Sequence, residues 1–262
     1  MKDMIIDEIV RSTEKRIQRE KQLVPLEEVK EQAYKLPKSH FRLYNTLKEP
    51  ALSYICEVKK ASPSKGVIAQ DFDYLKIAKE YEDIGAHAIS VLTEPDYFQG
   101  HLSYLKEISE EVSIPTLRKD FIIDEYMIYQ AKIAKASAVL LISGILTLEH
   151  LKHYLSICHE LGLDALVEAR DEEQLQKAIK AQARIIGVNN RDLRDFSVDI
   201  HHSLRFLNMI PEDVLFVSES GIQERSQIVE LEEHHVNGVL IGETLMRARD
   251  KGAMLKRLKG EN

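Results

Sequence analysis

The sequence predicts an α/β fold, a (β/α)8 TIM barrel with an N-terminal helical extension. Three observations carry this expectation. Short β-branched runs recur at residues 53–59, 87–93, 114–119, 137–142, 164–169, 184–189, 214–219 and 237–242. Helical stretches separate them, among them "YLKIAKEYEDIGA", "YLKEISEEV", "EYMIYQAKIAKA" and "LEHLKHYLSICHELGL". Strict alternation of strand and helix implies right-handed crossovers and a parallel sheet. No G-x-G-x-x-G follows the first run, as an open dinucleotide-binding sheet would require. The length of 262 residues also suits one closed barrel, which typically takes about 250.

The elements follow in order. "MIIDEIVRSTEKRIQREKQ" sets Met4 or Ile5, Ile9 and Ile17 on one side and reads as an amphipathic helix. Pro25 opens a second helical piece, "LEEVKEQAYKL", and Pro37 ends it. Residues 1–48 form this extension, a cap packed on the barrel, and residues 1–262 form one domain. In the first strand Tyr54, Cys56 and Val58 alternate with Ile55, Glu57 and Lys59. Side chains two apart share a face, so Glu57 and Lys59 belong with Ile55 in the interior, and Cys56 faces the helices. In the first helix of the repeat, Leu75, Ala78, Tyr81 and Ile84 recur at helical spacing, while Lys76, Lys79, Glu80 and Asp83 face away. Gly85 and Gly162 sit at expected helix C-caps.

Charge and cysteine usage narrow the function classes. A net charge of -7 argues against nucleic acid as a partner, because nucleic-acid binding needs a basic stripe. Cys56 and Cys158 make neither a metal spacing nor a disulfide framework, which points to a reducing, cytoplasmic home. Asp3, Asp7 and Glu8 spoil a signal peptide, and no apolar run reaches the ~20 residues of a membrane span.

Barrel chemistry gathers at the C-terminal ends of the strands. Those ends carry Glu57 and Lys59, Thr93 and Glu94, Lys119 and Asp120, Ser143, Glu168, Asn189, Asn190 and Arg191, Glu219 and Ser220, and Gly242 and Glu243. Singly, each is an ordinary rim residue or half of a structural ion pair. Two lysines and at least three carboxylates converging on one mouth exceed that pattern. Burial and a like-charged neighbour would each lower a lysine pKa toward neutrality, and Glu57 would oppose this. "SESGI", "VLIGET" and "SPSKG" place glycine turns where barrels hold phosphate, the first two after the last two strands.

Together "EVKKASPSKG", "TEPDYFQG", "LRKDFIIDEYMI", "ALVEAR", "IGVNNRDL", "VSESGI" and "LIGETLMR" resemble the indole-3-glycerol phosphate synthase family of tryptophan biosynthesis. The resemblance spans the chain and implies ring closure of 1-(2-carboxyphenylamino)-1-deoxyribulose 5-phosphate, with loss of carbon dioxide and water. It implies no cofactor and no metal. By that pattern Lys119 is the general acid, Glu168 the partner acid/base, and Glu57 and Asn189 position the reacting groups. Lys59 holds the substrate carboxylate. The lysine that protonates the leaving hydroxyl is Lys119 or Lys59. Glu219, Ser220 and Arg191 would line the anthranilate side and Phe98 would shield the ring. Ser62, Gly221, Gly242 and the Glu243 backbone would hold phosphate. One common form of the pattern has Ser where this chain has Glu243, so that carboxylate is expected to point outward.

The implied partners are the phosphorylated small-molecule substrate and other enzymes of the tryptophan pathway, with no membrane partner. Two alternatives remain. A phosphoribosyl anthranilate isomerase would use Cys at the end of strand one together with Asp, against which the parity of Cys56 counts. A catalytically silent phosphate-binding barrel would have lost Lys119 or Glu168.

Overall fold

The computed structural model describes residues 4–192 and 196–261. Residues 1–3, 193–195 and 262, among them Asp3 and the Leu193 of the sixth-strand motif, lie outside the described residues, as does the side chain of Met4.

Period-two alternation of apolar residues builds a closed parallel barrel from β1 (Ser53–Val58), β2 (Ala88–Leu92), β3 (Thr116–Lys119), β4 (Ala138–Ile142), β5 (Asp164–Ala169), β6 (Ile185–Asn189), β7 (Leu215–Glu219) and β8 (Gly238–Ile241). The strands pair in chain order and β8 closes on β1. Ile55, Ala88, Leu117, Leu140, Leu166, Ile185, Val217 and Leu240 fill the interior as one cluster. The opposite parity, including Tyr54, Cys56, Ile89, Val139, Val167 and Ile186, joins the helices in a larger outer core. A one-residue slip in any strand would exchange these two sets, so the register follows from the apolar pattern.

The outer helices are α4 (Tyr74–Asp83), α5 (Leu102–Glu111), α6 (Glu125–Ile133), α7 (Leu148–Leu161), α8 (Glu172–Lys180) and α9 (Arg225–Glu233). The last strand is followed by α10 (Glu243–Arg247) and α11 (Lys251–Lys259). Asp73, Asp124, Thr147 and Asp171 each accept a backbone N–H at a helix start, satisfying donors that the helix cannot.

The alternation departs from strict repetition in two places. After β6 the chain forms a 3-10 helix, Ser203–Met209, in place of an α-helix. Its start is pinned inward: the Ser203 N–H donates to Asn190 Oδ1 at 2.9 Å, and the Ser203 and Ser218 hydroxyls lie 2.8 Å apart. A short tethered segment takes the tighter turn. After β1, "SPSKG" folds into a two-residue antiparallel hairpin, Ala61–Ser62 with Gly66–Val67.

The extension comprises α1 (Met4–Leu23), α2 (Leu26–Lys35) and α3 (Arg42–Leu47). Leu43 and Leu47 of α3 join the interior cluster and plug the N-terminal end of the barrel. Ile9, Thr13 and Ile17 are the buried face of α1. Among the described residues no helix is long and apolar enough to cross a membrane.

A buried charge network fixes α1. Arg118, of outward parity on β3, is fully buried and donates to Asp120 Oδ2 at 3.1 Å. Arg16 of α1 reaches both oxygens of Asp120, at 3.0 and 3.2 Å, and the Thr93 hydroxyl donates to it at 2.6 Å. Burial opposes the charge of Asp120, but the two guanidiniums prevail and hold its carboxyl below the usual range. Removing one member of such a network strands the others. Asp120→Ala is therefore expected to destabilise the fold by about 3–5 kcal/mol, read as a lower urea midpoint. An unshifted midpoint would contradict this account of α1 docking.

Asp164, the first residue of β5, behaves in the opposite sense. It accepts the Tyr44 N–H at 3.0 Å, yet burial pushes its carboxyl up to about 6, against the pull of that N–H and of Arg184. Between the unfolded value of 3.8 and about 6 the folded chain holds more protons than the unfolded one, so this group's contribution falls as pH rises through that window. Asp164→Asn should gain stability relative to the parent from pH 4 to pH 7, by about 3 kcal/mol at most. A pH-independent difference between the two proteins would refute this.

Candidate active site

The alternation that fills the interior with Ile55, Leu117, Leu166 and Val217 puts Glu57, Lys119, Glu168 and Glu219 at the next inward position of the same strands. Register then brings them together. Glu168 lies opposite Gly187 on β6, and Glu219 lies opposite Asn189. Lys119 Nζ donates to Glu168 Oε2 and to Glu219 Oε2, each at 3.1 Å. Lys59 Nζ pairs with Glu57 Oε1 at 2.5 Å.

Burial alone would lower the pKa of Lys119. Glu219, Glu168 and Glu57 outweigh it and hold the ammonium well above the usual lysine range. The anticipated tuning toward neutrality therefore does not occur, because three carboxylates rather than one face the amine. Glu219 is fully buried, and burial followed by Glu168 and Glu57 raises its carboxyl to about 7, with Lys119 pulling the other way. Its Oε1 accepts no hydrogen bond.

Two glycines make room for these charges. A Cβ on Gly187 would lie 2.2 Å from Glu219 Oε1, and one on Gly242 would lie 2.3 Å from Glu57 Oε1 and 2.9 Å from Lys59 Nζ. A side chain at either position would displace the carboxylate beside it, so both glycines leave these charged groups where they are. Ser220 takes a φ of +68° and Gly221 one of +85°, turning the chain sharply after β7.

Above this floor the mouth divides into two lobes. The first is walled by Ile5, Ile6 and Ile9 of α1 with Leu92, Phe98, Phe121, Leu140 and Ile142, and opens on Lys119, Glu168 and Asn189. The Phe98 and Phe121 rings lie 6.2 Å apart. The second is lined by Gly221, Glu224, Gly242, Thr244, Arg247 and Arg257. Glu57, Lys59, Arg191, Ser220, Leu240 and Glu243 border both. A largely apolar chamber thus adjoins one in which Lys59, Arg191, Arg247 and Arg257 outnumber Glu57, Glu224 and Glu243, with the lysine–carboxylate cluster beneath the junction. Among the described residues no group of three or more His, Cys, Asp or Glu is arranged to hold a metal ion.

Most of the anticipated residues meet here, with differences. Asn189 lines the first lobe and its Oδ1 accepts the Arg191 N–H at 3.0 Å. Ser62 borders the first lobe, beside Ser64, and is not among the residues of the second. Glu219 lines neither lobe; it supports Lys119 from below. Glu243 does not point outward: Arg191 Nη2 holds its Oε2 at 3.2 Å and Arg247 Nε its Oε1 at 2.9 Å, on the pocket wall. The sequence expectations omitted Ile5 and Ile6 as a roof, and Arg247 and Arg257. The spacing of Glu243 and Arg247, one helical turn apart, was the available signal. Cys56 lies in the outer core, where burial pushes its thiol up to about 12, so it does not serve a mouth chemistry.

Comparison with known proteins agrees with this geometry. The family model for indole-3-glycerol phosphate synthase matches residues 6–258. A protein of that name from Lachnoclostridium phytofermentans is 49% identical over 98% of this chain and 99% of its own length. One from Ruminiclostridium cellulolyticum is 50% identical over the same shares. Among solved structures, a chain of the tryptophan synthase complex of Pyrococcus furiosus superposes with a TM-score of 0.60 at 15% identity, covering 79% of this chain and 98% of that one. That likeness speaks for the barrel alone. The chain belongs to the indole-3-glycerol phosphate synthase family, carboxy-lyases of tryptophan biosynthesis.

Proposed function

We propose that the protein closes the indole ring of 1-(2-carboxyphenylamino)-1-deoxyribulose 5-phosphate, giving indole-3-glycerol phosphate, carbon dioxide and water, with the residues named below in the stated roles. The observation that carries these roles is the Lys119 ammonium, held 3.1 Å from both Glu168 and Glu219 where the apolar and cationic lobes meet. The apolar lobe suits the carboxyphenyl ring, with Phe98 and the α1 isoleucines excluding water from it. The cationic lobe suits the phosphate, beside Gly221, Gly242, the Glu243 backbone, Arg191 and Ser220.

Ring closure needs a positive charge where the ketone oxygen becomes an alkoxide. Lys119 supplies it preorganised, which is the usual largest source of rate enhancement. An ammonium held this firmly is a poor donor to a neutral ketone and a suitable one to an alkoxide. Its proton therefore passes late, as the bond from the aromatic carbon forms. Lys59, oriented by Glu57, holds the carboxylate on that carbon until it departs as carbon dioxide and the ring regains aromaticity. In the dehydration the hydroxyl leaves as water with a proton from Lys59 or Lys119, while Glu168 takes the proton that the ring-closed intermediate gives up. Asn189 positions the reacting groups, and Glu219 keeps Lys119 charged and aimed.

The direct test is to add the substrate to the purified protein, with a chelator present, and follow indole fluorescence. A rise confirms the reaction, and a folded protein giving none contradicts it. Lys119→Met should lower kcat by about 10³-fold, the range of a lost general acid, with a KM close to that of the parent and the fold retained, at some loss of stability because Glu168 and Glu219 lose their common partner. Undiminished turnover in that variant would remove Lys119 from its role.

A further inference from the structure

Glu57, Glu224 and Glu243 border the cationic lobe, where an anion-binding surface would be expected to exclude carboxylates, and Glu57 is paired with Lys59. Glu243 opens α10 at the wall of this lobe, where an unpaired carboxylate would repel an incoming phosphate. Its two oxygens are divided between two guanidiniums. Oε1 accepts from Arg247 Nε at 2.9 Å, and Oε2 accepts from Arg191 Nη2 at 3.2 Å. Arg191 borders both lobes, and its Nη1 also donates to the Phe196 carbonyl at 3.4 Å. Arg247 lies one helical turn beyond Glu243 with its side chain half exposed. As a stability device such a pair contributes little, so its placement inside the lobe calls for another role.

We propose that Arg247 is a positioning residue for phosphate recognition, acting through Glu243. It neutralises that carboxylate and keeps it from claiming the whole Arg191 guanidinium, so that Arg191 keeps donors free for the substrate phosphate. Glu243 and Arg247 thus form one compensated unit, in which either residue without the other alters the affinity of the lobe. This inference rests on the assignment of the second lobe to phosphate. It assigns this chain's own Glu243 a compensated place in a position where a smaller neutral side chain would need no compensation.

A double-mutant cycle tests it on the full chain, with inorganic phosphate as the probe. Arg247→Met should raise both the KM for the substrate and the Ki of inorganic phosphate by about tenfold, with kcat falling far less than KM rises. Arg247→Lys, which keeps the charge, should recover most of the loss. In the Glu243→Ser background the same Arg247→Met change should cost less than twofold, because no carboxylate remains to be compensated. An equal loss in both backgrounds would mean that Arg247 touches the phosphate itself, and no loss in either would mean that Glu243 does not oppose the anion. Each of those results overturns the proposal. If inorganic phosphate competes with the substrate in none of the proteins, the assignment of the lobe fails and the inference with it. Competition without the background dependence overturns the inference alone. Unchanged melting temperatures separate these outcomes from misfolding.

Discussion

The ammonium of Lys119 between two buried carboxylates is the constraint around which the mouth is organised. Opposite charges taken out of water are costly unless each finds its partners, and here every partner comes from a different strand. Glu57, Lys119, Glu168 and Glu219 meet only if β1, β3, β5 and β7 all keep their register. That register is held by the alternating apolar residues below them. The core and the site are therefore a single pattern: the apolar set ends and, one step of two residues further, the charged set begins. The absence of side chains at Gly187 and Gly242 belongs to the same constraint, since any Cβ there would occupy the space of Glu219 or Glu57.

The extension is tied to this cluster by chain adjacency. Asp120 follows Lys119 directly, and it anchors α1 through Arg16 while satisfying the buried Arg118. The same helix extends Ile5, Ile6 and Ile9 over the apolar lobe. Docking the helix and roofing the site are thus two ends of one rigid element. At the opposite end of the barrel Leu43 and Leu47 of α3 close the interior.

Much of this was legible in the sequence. The eight strands lie within two residues of their expected bounds, because period-two alternation is a strong signal and both faces of each strand are buried. The inward parity of Glu57 and Lys59 could be read from Ile55 alone. Less legible were features set by contacts remote in sequence. The 3-10 segment after β6 depends on Ser203 meeting Asn190 and Ser218. The third short helix of the extension depends on a plug site that only the closed barrel creates. The charge state of Lys119 depends on counting carboxylates in space, where a strand-by-strand reading weighed only Glu57. Glu243 was expected to turn away because an unpaired carboxylate repels phosphate; its guanidinium partners, Arg191 and Arg247, come from another strand end and from the next helical turn.

The central claim is that Lys119 stands as a permanent ammonium in the unliganded site, held by its three carboxylates. It is tested most directly by following the Lys119 side-chain nitrogen by NMR, isotopically labelled and assigned by comparison with Lys119→Met, across pH 6 to 10. The account predicts a signal at the charged position with no titration in that interval. A titration centred near neutrality would contradict it, and would return the amine to the tuned, easily deprotonated state that burial alone would produce.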